Sequence, residues 1–383
     1  MPTLETIIIG GGISGLACAR RLHEAGREFL LITDRLGGRM FAGQQPMRNF
    51  GAAYITRDYR HVLPFVEEGP RLRRRDAYFR DGDRKLTLWL PRILRHRRPL
   101  LRAFARLIEF RTALNRLRAA GPSICQAEWI RRDPLLERTI KQPAAEFVKS
   151  NGLAAFGEVF IDPVVGATVF ASSDHVNTFY YLAAILPALI PTYGADLSRT
   201  MDRLASGFRA RILTDRVVAV EHLADGAMTV ATAGREFKAR NVVIATPAHN
   251  TRTFCPEIDH PADHGLLEIP MVTLHVQGLR RSEYKPGKIV YLGHGAAVTS
   301  LLPLGPGFDV LYARTMDPDL SAYYEQHEIV GRVGWKTAVQ LATSGWRPLA
   351  PRPGLFTIGD YNICGLEDSY ITGLFAANRI ISL

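Results

Sequence analysis

Two spacings of apolar residues organise the start of the chain. Thr6-Ile7-Ile8-Ile9 is a short β-branched run, the composition of a strand buried on both faces. Leu16, Ala19, Leu22 and Ala25 then recur at helical spacing and stop at Gly26. Phe29-Leu30-Leu31-Ile32 reads as a second buried strand, ending in Thr33-Asp34. From about 60 to 200 the pattern is helical. Within it Leu100, Leu101, Phe104, Leu107, Ile108, Leu114 and Leu117 predict one amphipathic helix with one apolar side. Strand-like runs return at Ile289–Leu292 and Val310–Ala313. The longest apolar stretch, Phe179 to Tyr193, contains Pro187 and Pro191 and is shorter than the ~20 residues a membrane-spanning helix needs.

The turn between the first strand and helix is Gly10-Gly11-Gly12-Ile13-Ser14-Gly15, a GxGxxG motif. Strand, glycine turn, helix, second strand and a carboxylate, in that order, predict a dinucleotide-binding unit. Gly10 permits the tight turn, Gly12 a close backbone approach to a pyrophosphate, and Gly15 close packing of helix on strand. The free N–H groups at the start of the helix favour a phosphate. Asp34 is the expected acceptor for the adenosine ribose hydroxyls.

Composition narrows the class. The 383 residues, 47% apolar and 22% charged, predict a globular protein of two or three domains. The net charge of +11 is concentrated: Arg71 to Arg118 holds sixteen basic and four acidic residues, leaving 32 and 33 elsewhere. Two readings stand for this stretch, a solvated helix face beside a core face and peripheral contact with an anionic membrane. It has no aromatic-interleaved or zinc-finger pattern, so nucleic acid is not expected as a partner. Cys18, Cys125, Cys255 and Cys364 are far apart, which predicts reduced thiols and no structural zinc. No metal is expected, since neither HExxH nor clustered Asp/Glu occurs. MPTLET lacks a basic signal-peptide start, so the expected location is cytoplasmic, with the basic segment as the place for any peripheral membrane contact.

Further motifs carry a family resemblance. They are Asp34-Arg35-Leu36-Gly37-Gly38-Arg39-Met40, Asn49-Phe50-Gly51-Ala52-Ala53-Tyr54 and Val242-Val243-Ile244-Ala245-Thr246-Pro247. The chain closes on Leu355-Phe356-Thr357-Ile358-Gly359-Asp360 and Gly365-Leu366-Glu367-Asp368-Ser369-Tyr370-Ile371-Thr372-Gly373-Leu374. In order and spacing these resemble the flavin-dependent amine oxidase superfamily, which includes amine oxidases, protoporphyrinogen oxidases and phytoene-type desaturases. The resemblance implies an α/β fold: a Rossmann-type, GR2-like FAD-binding domain interleaved with a mixed α+β substrate domain. The implied FAD domain is discontinuous, 1–60, 200–255 and 345–383, with 61–199 and 256–344 binding substrate.

The implied cofactor is FAD. The resemblance places around it Gly10, Gly12, Ile13, Ser14, Gly15, Asp34, Arg35, Gly38, Arg39, Met40, Gly51, Ala52, Ala53, Tyr54, Val217, Thr246, Gly359, Asp360, Leu366 and Ser369. Arg39 suits the pyrophosphate through a charge-assisted contact, and a helix starting near Leu366 would favour negative charge on a reduced flavin. Two departures stand out. The family's ribose glutamate falls on Thr33, in a loop two residues shorter than usual, and its Glu-Gly-Ala at the closing helix reads Glu367-Asp368-Ser369. Cys364 is close to the closing motif, but not where the family carries its covalent cysteine.

The position of the family's flavin-facing lysine falls on Met271. This favours the desaturase and protoporphyrinogen oxidase branches over the amine oxidases. Trp335 and Tyr54 are the candidate flavin-face residues, and no general base is assigned. Tyr180, Tyr181, Ile185, Leu186, Leu189 and Ile190 are either ordinary core or the lining of a hydrophobic channel. The expected activity moves a hydride from a C–H of a hydrophobic small molecule, isoprenoid- or porphyrinogen-like, to flavin N5. Oxygen or a quinone is the expected acceptor, as no second GxGxxG exists for a nicotinamide. An amine oxidase, a redox-neutral isomerase or mutase, and a non-catalytic flavin-binding protein are the alternatives.

Overall fold

The computed structural model describes residues 2–41, 49–73, 76–81, 84–86, 96–197, 199–258, 260–293 and 295–383. Residues 74–75, 82–83 and 87–95 of the basic segment lie outside these.

The predicted first strand forms as Thr3–Ile9 and lies inside a seven-stranded sheet. It pairs in parallel with Phe29–Thr33 on one side and Glu236–Ile244 on the other. Ile212–Thr214 extends the first side, and Leu355–Thr357 pairs in parallel with the end of Glu236–Ile244. The antiparallel strands Val217–His222 and Met228–Thr232 complete the sheet. Side chains alternate across a strand, so Ile8 packs into a layer with Leu16, Leu22, Tyr370 and Ala376, while Ile7 and Ile9 pack opposite with Val217, Val230 and Phe254.

The helices Ile13–Glu24 and Leu366–Ile381 cover one face of this sheet and touch each other. Glycine permits the contact. A Cβ at Gly373 would collide with the Ser14 carbonyl oxygen, and one at Gly15 with that of Gly10.

A second seven-stranded sheet runs in the order Tyr324–Ala342, Leu266–Arg280, Phe308–Ala313, Val298–Gly305, Ile289–Leu292, Ala77–Asp81, Arg84–Leu86. A small third sheet joins Tyr54–Thr56, Thr192–Asp196 and Glu67–Leu72. The helical expectation for 60–200 therefore needs correcting at its start, where strands Glu67–Leu72, Ala77–Asp81 and Arg84–Leu86 form. These segments have no alternating pattern, and their pairing is set by distant strands such as Ile289–Leu292.

A second correction concerns the long basic helix, Arg97–Ala120. Ala103, Leu107, Phe110, Leu114 and Leu117 are buried, but Leu101, Phe104 and Ile108 are 68%, 46% and 48% exposed. One apolar side was expected, and the helix has two. Tyr180, Tyr181, Leu186 and Ile190 are buried in the same core cluster as the inner face of this helix, with Ile185 and Leu189 partly buried against it. No helix among the described residues is long and apolar enough to cross a membrane.

Candidate functional site

The glycine turn lies at the carboxyl ends of the parallel strands. Gly10 donates its N–H to the Ile32 carbonyl at 2.8 Å, tying the turn to the second strand. Gly12 is the N-cap of Ile13–Glu24, and no side chain caps that end. Ile13 is half-buried; Ser14 and Gly15 are buried. A Cβ built on Gly12 meets no heavy atom within 4 Å. Uncapped helix N–H groups facing open space are what an anionic group at a helix N-terminus requires, and on this ground the residues present fit a dinucleotide pyrophosphate.

The loop after the second strand folds back onto this turn. Gly37 donates to the Gly11 carbonyl at 2.7 Å, and a Cβ on Gly38 would lie 3.2 Å from Gly12 Cα. Thr33, at the family's ribose-glutamate position, is buried and makes two hydrogen bonds within the loop. Its Oγ1 accepts from Gly11 N–H at 3.0 Å and donates to the Arg35 carbonyl at 2.8 Å. Asp34 and Arg35 are both exposed. The Arg35 guanidinium covers the Phe41 ring at 4.5 Å and the Trp335 ring at 5.6 Å. Met40 is buried in the helix-side core layer.

Arg39 and Asp360, from opposite ends of the chain, meet here. Arg39 Nη1 donates to Asp360 Oδ2 at 2.6 Å and to the Ala338 carbonyl at 3.4 Å. Burial opposes charge on Arg39, but Asp360 outweighs it and holds the guanidinium protonated. Its Nε and Nη2 have no partner among the described residues and are available to an anion. Gly359 N–H is held by Thr372 Oγ1 at 2.9 Å, and a Cβ on Gly359 would lie 3.7 Å from Ser14 Oγ. Leu366 opens the closing helix, which also lacks a side-chain cap, and Ser369 is buried in its first turn. Val217 is buried at the start of its strand. Thr246 is tied to its surroundings through Thr251 Oγ1 at 2.8 Å and the Tyr361 hydroxyl at 3.0 Å.

Glu367 and Asp368, the second of which replaces the family's glycine, make contacts outside the cofactor site. Glu367 is fully buried and accepts from the backbone N–H groups of Arg60, His61 and Val62 at 2.8, 2.9 and 3.1 Å. Asp368 accepts a bidentate pair from Arg118 Nε and Nη2 at 2.9 and 2.7 Å. Both carboxylates thus bind the chain at 60–62 and the basic helix to the start of the closing helix.

Beside the Arg39–Asp360 pair, residues from several distant segments converge on an aromatic cluster. Gly51 and Ala52 are half-buried next to the glycine-turn loop, and a Cβ at Gly51 would collide with the Arg39 carbonyl oxygen. Ala53 accepts from Ala195 N–H at 3.0 Å, and the Tyr54 hydroxyl donates to Thr168 Oγ1 at 3.2 Å. Tyr312 donates to the Gly51 carbonyl at 2.9 Å. Burial raises the pKa of Tyr54, Tyr291 and Tyr312, and the last two also feel Tyr54, so the three phenols stay neutral at physiological pH. Met271 is buried with Val310 and Tyr312, against Ala53, Phe170, Leu302 and Ala338. Phe170 adopts φ 60°, a strained conformation for a bulky side chain and a feature that concentrates at functional sites. Trp335 pairs with Met271 across the sheet, and its Nε1 donates to the Phe50 carbonyl at 3.0 Å and to Thr273 Oγ1 at 3.2 Å.

Sequence reasoning missed Tyr291, Tyr312 and Phe170, which carry no motif. It also missed His249, whose Nδ1 lies 2.8 Å from Glu268 Oε1 and 2.9 Å from Thr337 Oγ1. Cys364 is a weak nucleophile: burial first, then Asp360, pushes its thiol up to about 12, with Arg39 in opposition. The cofactor is accordingly expected to be held without a covalent bond. Under denaturing conditions the polypeptide should have the mass of the bare chain, with FAD in the supernatant; a chain heavier by one FAD would overturn this.

Comparison with known proteins gives a consistent picture. A family model described as "Flavin containing amine oxidoreductase" matches residues 13–293. A flavin-containing amine oxidase of Oncorhynchus mykiss is 37% identical over 71 residues, covering 17% of this chain and 14% of that protein. The chain therefore matches about a seventh of that relative's length. Two solved structures share the fold at full length. A fatty acid isomerase from P. acnes that produces CLA has a TM-score of 0.70 at 15% identity, with 98% of each chain covered. Wild-type putrescine oxidase bound to putrescine has a TM-score of 0.70 at 14% identity, with 100% of each chain covered.

Proposed function

This chain belongs to the flavin containing amine oxidoreductase family and is an FAD-dependent oxidoreductase, and from that premise we propose that it oxidises a C–H bond of a hydrophobic small molecule, isoprenoid- or porphyrinogen-like, rather than an amine. The observation that carries this reading is the environment of Met271. At the family's lysine position stands a buried thioether, packed among Ala53, Phe170, Leu302, Ala338 and Tyr312. A thioether can neither carry a proton nor donate a hydrogen bond as a lysine would, and the hydrophobic side chains packed against it suit an apolar substrate.

Bound FAD supplies a hydride acceptor at N5. The chain's own residues bind and orient. Gly12 and the uncapped helix start would hold the pyrophosphate with Arg39, and Asp360 holds the Arg39 guanidinium in place. Thr33 already donates its hydroxyl proton to the Arg35 carbonyl and accepts from Gly11, and Asp34 is the carboxylate proposed for the ribose. The aromatic cluster would exclude water and orient an apolar substrate by shape, with no base assigned. Oxygen or a quinone is the proposed acceptor.

Anaerobic mixing of the FAD-loaded protein with polyprenyl hydrocarbons, porphyrinogens and primary amines tests the reading. Loss of flavin absorbance with an apolar C–H donor and none with amines is expected. Bleaching by amines alone would overturn it, and a product of unchanged mass formed without net flavin reduction would identify an isomerase.

A further inference from the structure

The basic helix Arg97–Ala120 has an apolar face that is exposed among the described residues. A surface helix ordinarily has one apolar stripe, turned to the core. Here the inward stripe of Ala103, Leu107, Phe110, Leu114 and Leu117 already fills that role. Leu101, Phe104 and Ile108 project from the opposite side, within about 60° of one another at ~100° per residue. They are three of the eight large apolar side chains exposed among the described residues. Arg97, Arg98 and Arg102 flank them, exposed and with no carboxylate partner among the described residues. The one acidic residue of the helix, Glu109, is paired with Arg106 at 2.8 Å. Next to Ile108 opens a cleft of about 390 Å³ lined by Arg60, Arg111, Thr112, Asn115 and Arg116. Arg111 is neutralised by Asp58 and Arg116 by Asp133, while the Arg60 guanidinium has no partner among the described residues.

We infer that this face seats the protein on a bilayer containing anionic phospholipid. Leu101, Phe104 and Ile108 enter the interface between headgroups and acyl chains, and the flanking arginines meet the lipid phosphates. Charge complementarity selects this occupant. An apolar stripe bordered by unpaired guanidinium groups matches a surface that is negative at its plane and apolar just beneath. The inference is independent of the substrate reading.

The test uses the full-length, FAD-loaded protein and two kinds of vesicle, phosphatidylcholine alone and a mixture about one third phosphatidylglycerol. The protein is expected to sediment with the mixed vesicles and not with phosphatidylcholine, and to be released as salt rises. The triple substitution Leu101→Ser, Phe104→Ser, Ile108→Ser is expected to lower partitioning by about tenfold or more. FAD content should be unchanged and the melting temperature should fall only slightly, because Leu101, Phe104 and Ile108 are not among the buried core side chains. Failure to sediment with either vesicle would overturn the inference. So would undiminished binding by the triple variant. A wild-type dimer that the same substitutions convert to a monomer, without vesicle binding, would assign the face to a second copy of the chain instead.

Discussion

Gly12→Ala is expected to leave the fold intact and to lower FAD affinity by about a hundredfold, a loss of roughly 3 kcal/mol of binding. The two halves of this expectation rest on separate facts. Gly12 has φ −79° and ψ −172°, an extended conformation open to any residue, and its Cβ position is free of protein atoms within 4 Å. A methyl group there therefore strains nothing in the protein. It does fill the space in front of the uncapped helix N–H groups, and it forces a phosphate away from them. Gly15→Ala is the contrasting change. Its Cβ collides with the Gly10 carbonyl oxygen and must push helix Ile13–Glu24 off the sheet. That variant should lose stability as well as cofactor. Titration of FAD into each apoprotein, with a melting curve beside it, separates the cases. A Gly12→Ala protein that binds FAD as tightly as wild type would show that the cofactor's phosphates are held elsewhere.

Arg118→Leu is expected to destabilise the protein by about 3–5 kcal/mol. The side chains of Arg118 and Asp368 are 9% and 2% exposed, and among the described residues no other hydrogen bond reaches either carboxylate oxygen. Removing the guanidinium leaves a buried carboxylate without a counter-charge, and the orphaned group accounts for most of the cost. The melting temperature should fall by at least about 5 °C. Adding Asp368→Gly, the residue the family carries there, should recover much of the loss, since it removes the orphan. If the double variant is no more stable than Arg118→Leu alone, the ion pair is not the origin of the effect.

The features legible in the sequence are the local ones. Gly10 to Gly15 with its flanking strands, and Gly359-Asp360 with the closing helix, each fit within about 30 residues. Short-range spacing fixes their geometry, and they form as read. What was not legible depends on partners far along the chain. Leu101 and Leu107 are both leucines of one helix, and packing against distant residues, such as Phe110 on Phe179, decides which side is inward. Glu367 and Asp368 stand side by side at the start of the closing helix. Their actual partners, Arg60 to Val62 and Arg118, lie some 250 to 307 residues away. The phenols around Met271 come from separate strands, and nothing in the spacing of Tyr54, Tyr291 and Tyr312 announces that they meet.

The placement of strand Thr3–Ile9 also dictates the order in which the protein can be built. Its two neighbours are Phe29–Thr33 and Glu236–Ile244, and the helix that follows it is roofed by Leu366–Ile381. A ribosome adds about 5–20 residues per second. The first hairpin of apolar strand and helix therefore waits tens of seconds, with Ile7 and Ile9 uncovered, before its second partner strand and its roof emerge. The glycine cradle is synthesised before the strands and helix that complete it. Capture of the cofactor consequently follows synthesis of the closing helix, and a nascent chain stalled before residue 355 would expose the apolar edge of a site it cannot yet close.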